Sequence, residues 1–581
     1  MRILLVASAF NSLTQRVQAE LRDRGHRTAF VLAAGGPEVR DAALRDAVRD
    51  HRPELLLAPM LTTAVPDDVW QAVPTLVVHP GPVGDRGPSS LDWALQEGAR
   101  RWGVTVLRAT AEMDGGDVWA TAGCDLPAAG KSDLYRGEVA DAALDAVLLA
   151  VTRFASGTYR PLPQPADAVV TRPYLRQERR RIDWAADGTA AVLRKLRAAD
   201  SRPGVLDRLL GEDWYLHGGH PEGALTGPPG ELLATRAGAV CRATADGAVW
   251  IPELRAPRGR GGRTAGVKLP AAVALAGRTA GLPELPAAPD GPEHEWKDIC
   301  YREEGRAGFL EFSFPGGAMS TAHCARLLAA YRQACARPTS VLVLGGGRDF
   351  FGNGIHLNVI EAAADPAAES WANLTAMDDL VEAVLTTTDR LVVAALGGNA
   401  AAGGVMLALA ADEVWCRTGA VLNPHYRLMG LYGSEFWTYS LPRRVGAAAA
   451  RRLTERAQPV SAAAALRTGL VDQVVAAAPQ DFRGVVARQA VRLASGGGTQ
   501  GRIARKKAAR ERDEAVRPLA AYREAELAVM HRIFHDPAAP YHALRAAFVR
   551  KQPRPPLPDA AAPGMAQPDV AAGGGRRNSG V

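Results

Sequence analysis

Short apolar runs alternate with helix-length amphipathic segments at the start of the chain. The apolar runs are residues 3–7, 54–58, 75–78 and 104–107. Such alternation is typical of βαβ units, in which helices cover both faces of a parallel sheet. Apolar residues at helical spacing from Val139 to Phe154 predict the last helix, and Gly157 with the proline-rich residues 161–165 predicts its end. We therefore expect a doubly wound α/β domain over residues 1–165.

The pattern changes after this first domain. Two strand-like runs, 230–235 and 248–254, are separated by a loop with an Asp-Gly turn signal, which predicts a small β domain over residues 166–276. Residues 277–293 are rich in Pro, Gly and Ala and show no period, which predicts a linker.

A second α/β unit is predicted over residues 294–480. Its expected strands are residues 308–314, 341–344 and 391–396. Residues 481–560 are predicted to be mostly helical, with the clearest amphipathic stretch at 520–534. Residues 561–581 are rich in Gly, Pro and Ala and are predicted to be disordered. The fold class expected for the whole chain is α/β multidomain.

Composition narrows the class of protein. Hydrophobic residues are 47% of the chain and charged residues 23%, which is a globular balance, and no apolar run reaches the 18 residues of a membrane span. The apolar start lacks the basic leader and cleavage site of a signal peptide, so we predict a cytoplasmic protein without a membrane partner. Six scattered cysteines without a C-x-x-C pair indicate neither a disulfide framework nor a metal site. A net charge of +7 is small for 581 residues, so no nucleic-acid partner is indicated.

The first candidate site lies where two strands of the N-terminal domain end. Residues 75–81 (TLVVHPG) place His79 at a strand end, and the Gly/Pro-rich residues 84–93 (GDRGPSSLDW) follow. A second strand leads into residues 112–118 (EMDGGDV), a turn that presents Asp114. An imidazole oriented by a carboxylate suits a reaction that passes through a tetrahedral oxyanion.

These residues resemble the formyltransferases that use 10-formyltetrahydrofolate, such as methionyl-tRNA and glycinamide ribonucleotide formyltransferases. That family's signature is Asn-x-His, then a loop with Arg-Gly, then Asp-x-Gly; His79, Arg86, Gly87 and Asp114 match it. The resemblance implies a Rossmann-like first domain, an OB-like β barrel after it, and catalytic roles for His79 and Asp114. It also implies that 10-formyltetrahydrofolate is the formyl donor, and the residues predicted to bind it are Asp85, Arg86 and Gly87 of this loop with Asn11 and Gln15.

One position departs from the family signature. Val77 stands where the family has asparagine. The third catalytic role is therefore vacant or filled from elsewhere, for which Asn11 and Gln15 on the first loop are the candidates.

The second candidate site combines two glycine turns that follow strands. They are residues 345–358 (GGGRDFFGNGIHLN) and 397–406 (GGNAAAGGVM). Backbone N–H groups freed at such turns can point at one oxygen, and a helix N-terminus adds its dipole, which suits a thioester carbonyl. The turns resemble the crotonase (enoyl-CoA hydratase/isomerase) superfamily. The resemblance implies that coenzyme A is bound and that Gly352 and Gly403 supply the oxyanion-hole amides.

The acid and base of that superfamily's hydratases are missing here. Met406 and Tyr426 stand at the places of the two glutamates, and a methionine cannot transfer a proton. Hydration and double-bond isomerisation are therefore not expected. Tyr426 and Glu435 are predicted to handle protons, with His425 behind them.

The two modules in one chain resemble the HypX/HoxX family of hydrogenase maturation factors. The resemblance implies formyl transfer from 10-formyltetrahydrofolate to coenzyme A, then cleavage of formyl-CoA into coenzyme A and carbon monoxide. The carbon monoxide would become an iron ligand of a [NiFe] hydrogenase, with maturation proteins as partners. Two alternatives stay open: a deformylase or transferase fused to an acyl-CoA hydratase, and a non-catalytic maturation scaffold, which Val77 favours.

Overall fold

The computed structural model of this chain describes residues 1–292 and 294–555. The predicted disordered tail, 561–581, and the end of the predicted helical region, 556–560, lie outside the described residues. Within the described residues, no helix is both long and apolar enough to cross a bilayer.

The N-terminal domain is a six-stranded sheet with helices on both faces. In order across the sheet, its strands are Arg27–Leu32, Arg2–Ala7, Leu55–Met60, Thr75–His79, Arg101–Arg108 and Val118–Asp125. Its helices are Ser12–Asp23, Pro37–His51, Asp67–Ala72, Ser90–Gln96, Lys131–Arg136 and Glu138–Ser156. Alternate residues of strand Arg2–Ala7 point into two separate cores: Ile3 and Leu5 pack on one face, Leu4 and Val6 on the other.

The sheet is mixed, which corrects the expectation of a parallel sheet. Strand Arg101–Arg108 runs antiparallel to Thr75–His79, and Val118–Asp125 runs antiparallel to Arg101–Arg108. The last two strands are joined by a short turn, and a parallel pair would need a crossover of a dozen or more residues. This hairpin turn carries Asp114 back toward the end of strand Thr75–His79.

The small β domain contains two antiparallel sheets that share one core. The first has strands Lys268–Pro270, Glu253–Arg255, Glu212–His217 and Val205–Leu209; the second has His220–Glu222, Ala248–Ile251, Ala239–Ala243 and Leu232–Arg236. Helices Thr189–Ala199 and Ala271–Leu275 complete it. The predicted linker is tied to this domain, since Thr235 N donates to Pro283 O (2.9 Å) and Leu285 N donates to Thr235 O (2.8 Å).

The C-terminal module has a large sheet and a smaller one. The large sheet contains Ile299–Glu304, Ala307–Phe312, Val341–Gly345, Leu391–Leu396, Glu413–Arg417 and Gln473–Val475; the small one contains Phe350–Gly352, Asn399–Ala401, Val421–Asn423 and Val460–Ser461. Its helices are Thr321–Cys335, Leu357–Ala362, Pro366–Thr386, Gly403–Leu409, Trp437–Val445, Ala447–Arg456, Ala462–Thr468, Phe482–Ser495, Thr499–Val516, Leu519–His535 and Pro540–Arg550. The last helices belong to the same core, because Met530, Phe534 and Tyr541 pack in one cluster with Met377 and Met406.

Ion pairs and hydrogen bonds join the two halves of the chain. Arg417 Nη1 lies 2.9 Å from a carboxylate oxygen of Asp141, and Arg348 forms an ion pair with Glu138. Asn423 Nδ2 donates to Gln15 Oε1 at 2.9 Å. Gln15 lies in helix Ser12–Asp23 and not in the first loop, so the first helix of the N-terminal domain lies against the small sheet of the C-terminal module.

Candidate active sites

His79 is a buried histidine between two carboxylates. It ends strand Thr75–His79, and only 4% of its surface is exposed. Its Nε2 lies 2.9 Å from Asp85 Oδ2, and its Nδ1 lies 3.5 Å from Asp114 Oδ2. The structure thus brings together the His79 and Asp114 that the sequence pairs, and it adds Asp85.

Asp85, which the sequence predicts to bind cofactor, contacts both His79 and Arg172. The two-residue strand Asp85–Arg86 pairs in parallel with Val170–Thr171, which places the next residue, Arg172, beside it. Arg172 Nη1 donates to Asp85 Oδ1 at 2.7 Å, while Asp85 Oδ2 faces His79. No local pattern could reveal this contact, because Arg172 is 87 residues away in sequence.

The charges of this group reinforce one another. Burial lowers the pKa of His79, but the hydrogen bonds and charges of Asp114 and Asp85 outweigh burial and raise it to about 9. Burial raises the pKa of each carboxyl, but His79 together with Ser90 and Arg172 at Asp85, and together with the Gly87 N–H at Asp114, outweighs burial, so the pKa of both carboxyls is lowered. At neutral pH the site therefore holds an imidazolium between two carboxylates.

The turn that carries Asp114 and the loop that contacts Asp114 each depend on a glycine. Asp114 has a φ of +53°, and its Oδ2 accepts from Gly87 N at 3.1 Å. A Cβ on Gly116 would lie 1.8 Å from Arg108 O, and a Cβ on Gly87 would lie 2.0 Å from Arg172 O. These two positions need glycine because neighbouring backbone fills the space of a side chain.

The other predicted folate-site residues have varied contacts. Arg86 forms an ion pair with Glu112. Asn11 caps helix Ser12–Asp23 by accepting from Thr14 N at 3.0 Å, and its Nδ2 donates to Tyr135 Oη at 3.2 Å. Gln15 Nε2 donates to Phe10 O at 2.9 Å, in addition to the bond from Asn423. Neither Asn11 nor Gln15 forms a described hydrogen bond with His79, and their proposed part in catalysis stays a prediction.

Glu435 and Tyr426 form a buried pair in the C-terminal module. Tyr426 Oη donates to Glu435 Oε2 at 2.6 Å, and Ser434 N donates to the same oxygen at 3.1 Å. Burial and the charge of Asp378 raise the pKa of Glu435 to about 8, although the hydrogen bonds from Tyr426 and Ser434 oppose this shift. Burial, followed by the charge of Glu435, raises the pKa of Tyr426. Since Oε2 accepts two hydrogen bonds, the proton of the neutral acid belongs on Oε1.

Gly403 lies directly against this free oxygen. A Cβ on Gly403 would lie 2.3 Å from Glu435 Oε1. Gly403 also begins helix Gly403–Leu409, where the first N–H groups have no acceptor within the helix. One turn further on, Met406 is fully buried in the apolar core and brings no ionisable group to the site.

Two further buried acids hold the backbone of Glu435, and the sequence did not predict them. Glu435 and Phe436 both have a positive φ, 60° and 57°. Asp378 accepts from Glu435 N and Ser434 Oγ, each at 2.8 Å. Glu526 accepts from Phe436 N at 2.9 Å and Thr438 N at 2.8 Å. Burial is the main cause that raises the pKa of Asp378 to about 7 and of Glu526 to about 8.

A cavity of about 430 Å³ opens onto Glu435. Residues of all three domains line it, among them Phe10, Gln15, Glu253, Lys268, Gly354, Ile355, Gly403, His425, Tyr426 and Glu435. The cavity therefore extends from the Tyr426–Glu435 pair of the C-terminal module to the first loop of the N-terminal domain.

The predicted role of Gly352 needs correction. Gly352 is buried behind the cavity wall, where a Cβ on Gly404 would lie 2.0 Å from its carbonyl oxygen. The wall is formed by the next residues: a Cβ on Gly354 would lie 3.3 Å from Gly403 N, and Ile355 follows it. Within the described part of the chain, the Ile355 N–H has no hydrogen-bond acceptor. The geometry favours Ile355, not Gly352, as the amide that faces the cavity with Gly403.

His425 lies in the cavity wall with its ring nitrogens free of described hydrogen bonds. It is 8% exposed, and among the described residues neither ring nitrogen has a hydrogen-bond partner. Burial lowers its pKa to about 4, so the ring is neutral at physiological pH. A neutral imidazole in this wall can donate one hydrogen bond and accept another.

Models of known protein families match the three domains of the fold separately. Family models match residues 1–151 (Formyl transferase), 174–261 (Formyl transferase, C-terminal domain) and 316–552 (Enoyl-CoA hydratase/isomerase). The hydrogenase maturation factor HoxX of Bradyrhizobium diazoefficiens is 46% identical over 563 residues, which cover 96% of each chain. The chain belongs to the HoxX/HypX family of hydrogenase maturation factors.

A solved member of this family has the same fold. The crystal structure of HypX from Aquifex aeolicus in complex with tetrahydrofolic acid is 42% identical, covers 96% of this chain and 97% of that one, and superposes with a TM-score of 0.91. Methionyl-tRNA formyltransferase of Variovorax paradoxus is 28% identical over 38% of the chain. Membership of the HoxX/HypX family confirms the resemblance inferred from the two site patterns and the α/β multidomain fold class.

Proposed function

We propose that this HoxX/HypX protein makes carbon monoxide in two steps: formyl transfer from 10-formyltetrahydrofolate to coenzyme A, then decarbonylation of formyl-CoA. The observation that carries the proposal is the cavity that joins Gln15 of the N-terminal domain to Glu435 of the C-terminal module. Met406, which replaces a hydratase acid, supports a reaction that adds no water.

The first step uses the His79 group. A folate donor is supported by the formyltransferase domains and by the complex of Aquifex aeolicus HypX with tetrahydrofolic acid. Attack of the coenzyme A thiolate on the formyl carbon gives a tetrahedral oxyanion, and the imidazolium of His79 stabilises that charge. Asp114 orients the ring from its Nδ1 side.

The second step uses the Glu435 pair. The amides of Ile355 and Gly403 bind the formyl oxygen, and ionised Glu435 takes the formyl proton through Oε1. The C–H and C–S bonds break, carbon monoxide leaves, and Glu435 returns its proton to the sulfur as coenzyme A is restored. Tyr426 holds Oε2 throughout. The step consumes neither water nor an oxidant.

Synthesis of carbon monoxide, an iron ligand of [NiFe] hydrogenases, fits a hydrogenase maturation factor. We propose that the protein acts in the cytoplasm, that it uses coenzyme A and 10-formyltetrahydrofolate as substrates, and that maturation proteins receive the carbon monoxide. The crotonase-like module supports coenzyme A, and the family supports maturation partners.

The test incubates the purified protein with 10-formyltetrahydrofolate and coenzyme A and follows carbon monoxide by the colour change of a haem protein. The expected result is carbon monoxide that depends on both substrates and is lost in Glu435→Gln. The matched control is Glu455→Gln, an exposed residue of the same module. Release of formate without gas would establish a deformylase instead, and inertness with both substrates bound would establish a scaffold.

A further inference from the structure

Both ring nitrogens of His79 face carboxylates, which is more than orientation of an imidazole requires. Asp114 by itself could fix the ring's direction, yet Asp85 holds the opposite nitrogen at the shorter distance, 2.9 Å against 3.5 Å. His79 and Asp85 are each 4% exposed, so solvent screens this interaction weakly. Arg172 fixes the second oxygen of Asp85 at 2.7 Å, and its charge adds to the interactions with His79 and Ser90 that lower the pKa of this carboxyl.

The two nitrogens of His79 are held unequally. Asp85 Oδ2 has a full hydrogen bond to Nε2. The Nδ1 contact with Asp114 is at the outer limit of a hydrogen bond, and Asp114 Oδ2 is shared with Gly87 N at 3.1 Å. The Nδ1 proton is therefore the one available to a substrate, while the hydrogen bond between Nε2 and Asp85 fixes the orientation of the ring.

A thiol acceptor needs a proton source that an amine acceptor does not need. An amine that attacks a formyl group becomes an ammonium and brings a proton that can pass to the departing folate nitrogen. A thiol attacks as its thiolate and brings none. The folate nitrogen is a poor leaving group unless it is protonated, so the site itself must hold the proton before attack.

We propose that Asp85 is a positioning residue that keeps His79 protonated, so that His79 can protonate the departing folate nitrogen when the acceptor is a thiolate. The inference deepens the first step of the proposed function and rests on it. In that step the C–S bond forms, His79 Nδ1–H gives its proton to the folate nitrogen, and the C–N bond breaks. The proton lost by the thiol returns through solvent to His79, so charge and atoms balance.

The first test measures the protonation of His79 without any substrate. Histidine ring signals are titrated by NMR in the protein labelled at its 12 histidines, and His79→Gln identifies the His79 signal. In Asp85→Asn the His79 titration is expected to fall by about one to three pH units, the usual effect of losing a nearby opposite charge. Glu97→Gln is the matched control, because it removes the other carboxylate on Arg172 without touching His79. An unchanged titration in Asp85→Asn would overturn the proposal.

The second test follows formyl transfer to coenzyme A in single turnovers from pH 6 to 9.5. The rate of Asp85→Asn divided by that of the parent is expected to approach one at pH 6, where His79 is protonated in both. It should then fall by about 10²-fold at high pH, the contribution of general acid catalysis. A ratio that is low and equal at every pH indicates a purely structural Asp85 and overturns the proposal. Asp85→Glu, which keeps the charge, should restore part of the high-pH rate.

The two tests separate the inference from its premise. If the parent transfers no formyl group to coenzyme A, the proposed function fails, whatever the titration shows. If the parent transfers it but the Asp85→Asn titration or rate ratio is unchanged, only the role of Asp85 fails.

Discussion

The two oxygens of Glu435 have different surroundings, and this difference defines the residue's chemistry. Oε2 accepts hydrogen bonds from Tyr426 and Ser434, whereas Oε1 lies against Gly403 and the cavity. A pKa of about 8 makes the carboxylate a stronger base than an exposed glutamate, while a useful fraction is still ionised near neutrality.

Carbon monoxide release from supplied formyl-CoA should increase with pH and level off above about pH 8, because in the proposed mechanism the carboxylate form of Glu435 is the base, and its pKa is raised to about 8. The measurement is the initial rate of haem-detected carbon monoxide between pH 6 and 9. A rate that is flat across this range would contradict the assignment of Glu435 as the base.

Tyr426→Phe should shift the pH at which carbon monoxide release levels off to a higher value. The hydrogen bond from Tyr426 lowers the pKa of Glu435, so its loss raises that pKa further. At pH 7 we expect a rate lower by about tenfold or more, since general acid–base groups contribute about 10²–10⁴-fold. Tyr432→Phe is the control: Tyr432 packs on Trp437 and has no described hydrogen bond to Glu435. Equal pH profiles for Tyr426→Phe and the parent would exclude this coupling.

At the scale of elements, the turn at Glu435 is held by helices distant in sequence. Asp378 lies on helix Pro366–Thr386 and Glu526 on helix Leu519–His535. Their four hydrogen bonds stabilise two consecutive residues of positive φ, a conformation that costs about 1–3 kcal/mol per residue when it is unsupported. Helix Leu519–His535, which the sequence predicts only as part of a C-terminal helical region, thus supports the turn at Glu435.

Glu526 should make stability depend on pH. Its folded pKa is raised to about 8, so its contribution is complete below its ordinary value near 4.5 and is lost as pH increases through about 8. We expect the thermal midpoint to fall between pH 6 and 9, and this fall to be smaller in Glu526→Gln. Differential scanning calorimetry measures it, with the exposed Glu524→Gln as control. If the thermal midpoint fell equally with pH in Glu526→Gln and in the parent, the assigned pKa of Glu526 would be contradicted.

The start of helix Gly403–Leu409 tolerates no side chain. Gly403→Ala puts a Cβ 2.3 Å from Glu435 Oε1, so we expect carbon monoxide release to fall by about 10²-fold or more, the effect of losing an oxyanion contact. Overpacking should also cost about 1–3 kcal/mol of stability. In contrast, Gly484→Ala in helix Phe482–Ser495 has only a flexible arginine nearby and should keep full activity. Normal activity in Gly403→Ala would remove Gly403 from the site.

At the scale of the whole molecule, the domains share one cavity. Phe10 and Gln15 come from the first domain, Glu253 and Lys268 from the second, and Glu435 from the third. The hydrogen bond between Asn423 and Gln15 and the ion pair between Arg417 and Asp141 hold the outer two together. We predict that an intermediate formed in one half reaches the other through this cavity, whose described lining includes Phe10 and Gln15 but not His79.

Isotope dilution tests whether formyl-CoA stays within the protein between the two proposed steps. With a ¹³C-formyl folate donor and excess unlabelled formyl-CoA in solution, the carbon monoxide produced should stay richer in ¹³C than the pool of formyl-CoA. The reason is that the intermediate moves within the cavity. Mass spectrometry of the gas measures the ratio, and Arg505→Gln, an exposed change remote from the cavity, is the control. Gas with the isotope ratio of the bulk pool would show that formyl-CoA is released between steps.

The sequence by itself determined the α/β multidomain fold class and indicated the candidate residues of each site. Apolar periodicity and glycine turns were sufficient to predict two α/β modules, because both signals lie within a few consecutive residues, and the resemblance to known families implied their formyltransferase-like and crotonase-like character. His79, Asp114 and Gly403 could be predicted as site residues for the same reason: each stands at a strand end, in a turn or at a helix start that its neighbours in sequence specify.

Only the tertiary structure decided which distant groups complete the sites. Arg172 reaches Asp85 across 87 residues, and Glu526 reaches Phe436 across 90. The choice of Ile355 over Gly352 depends on how two loops pack against each other. Local sequence specifies turns and the spacing of side chains, but contacts between remote segments, and the burial that shifts their pKa values, exist only once the whole chain is folded.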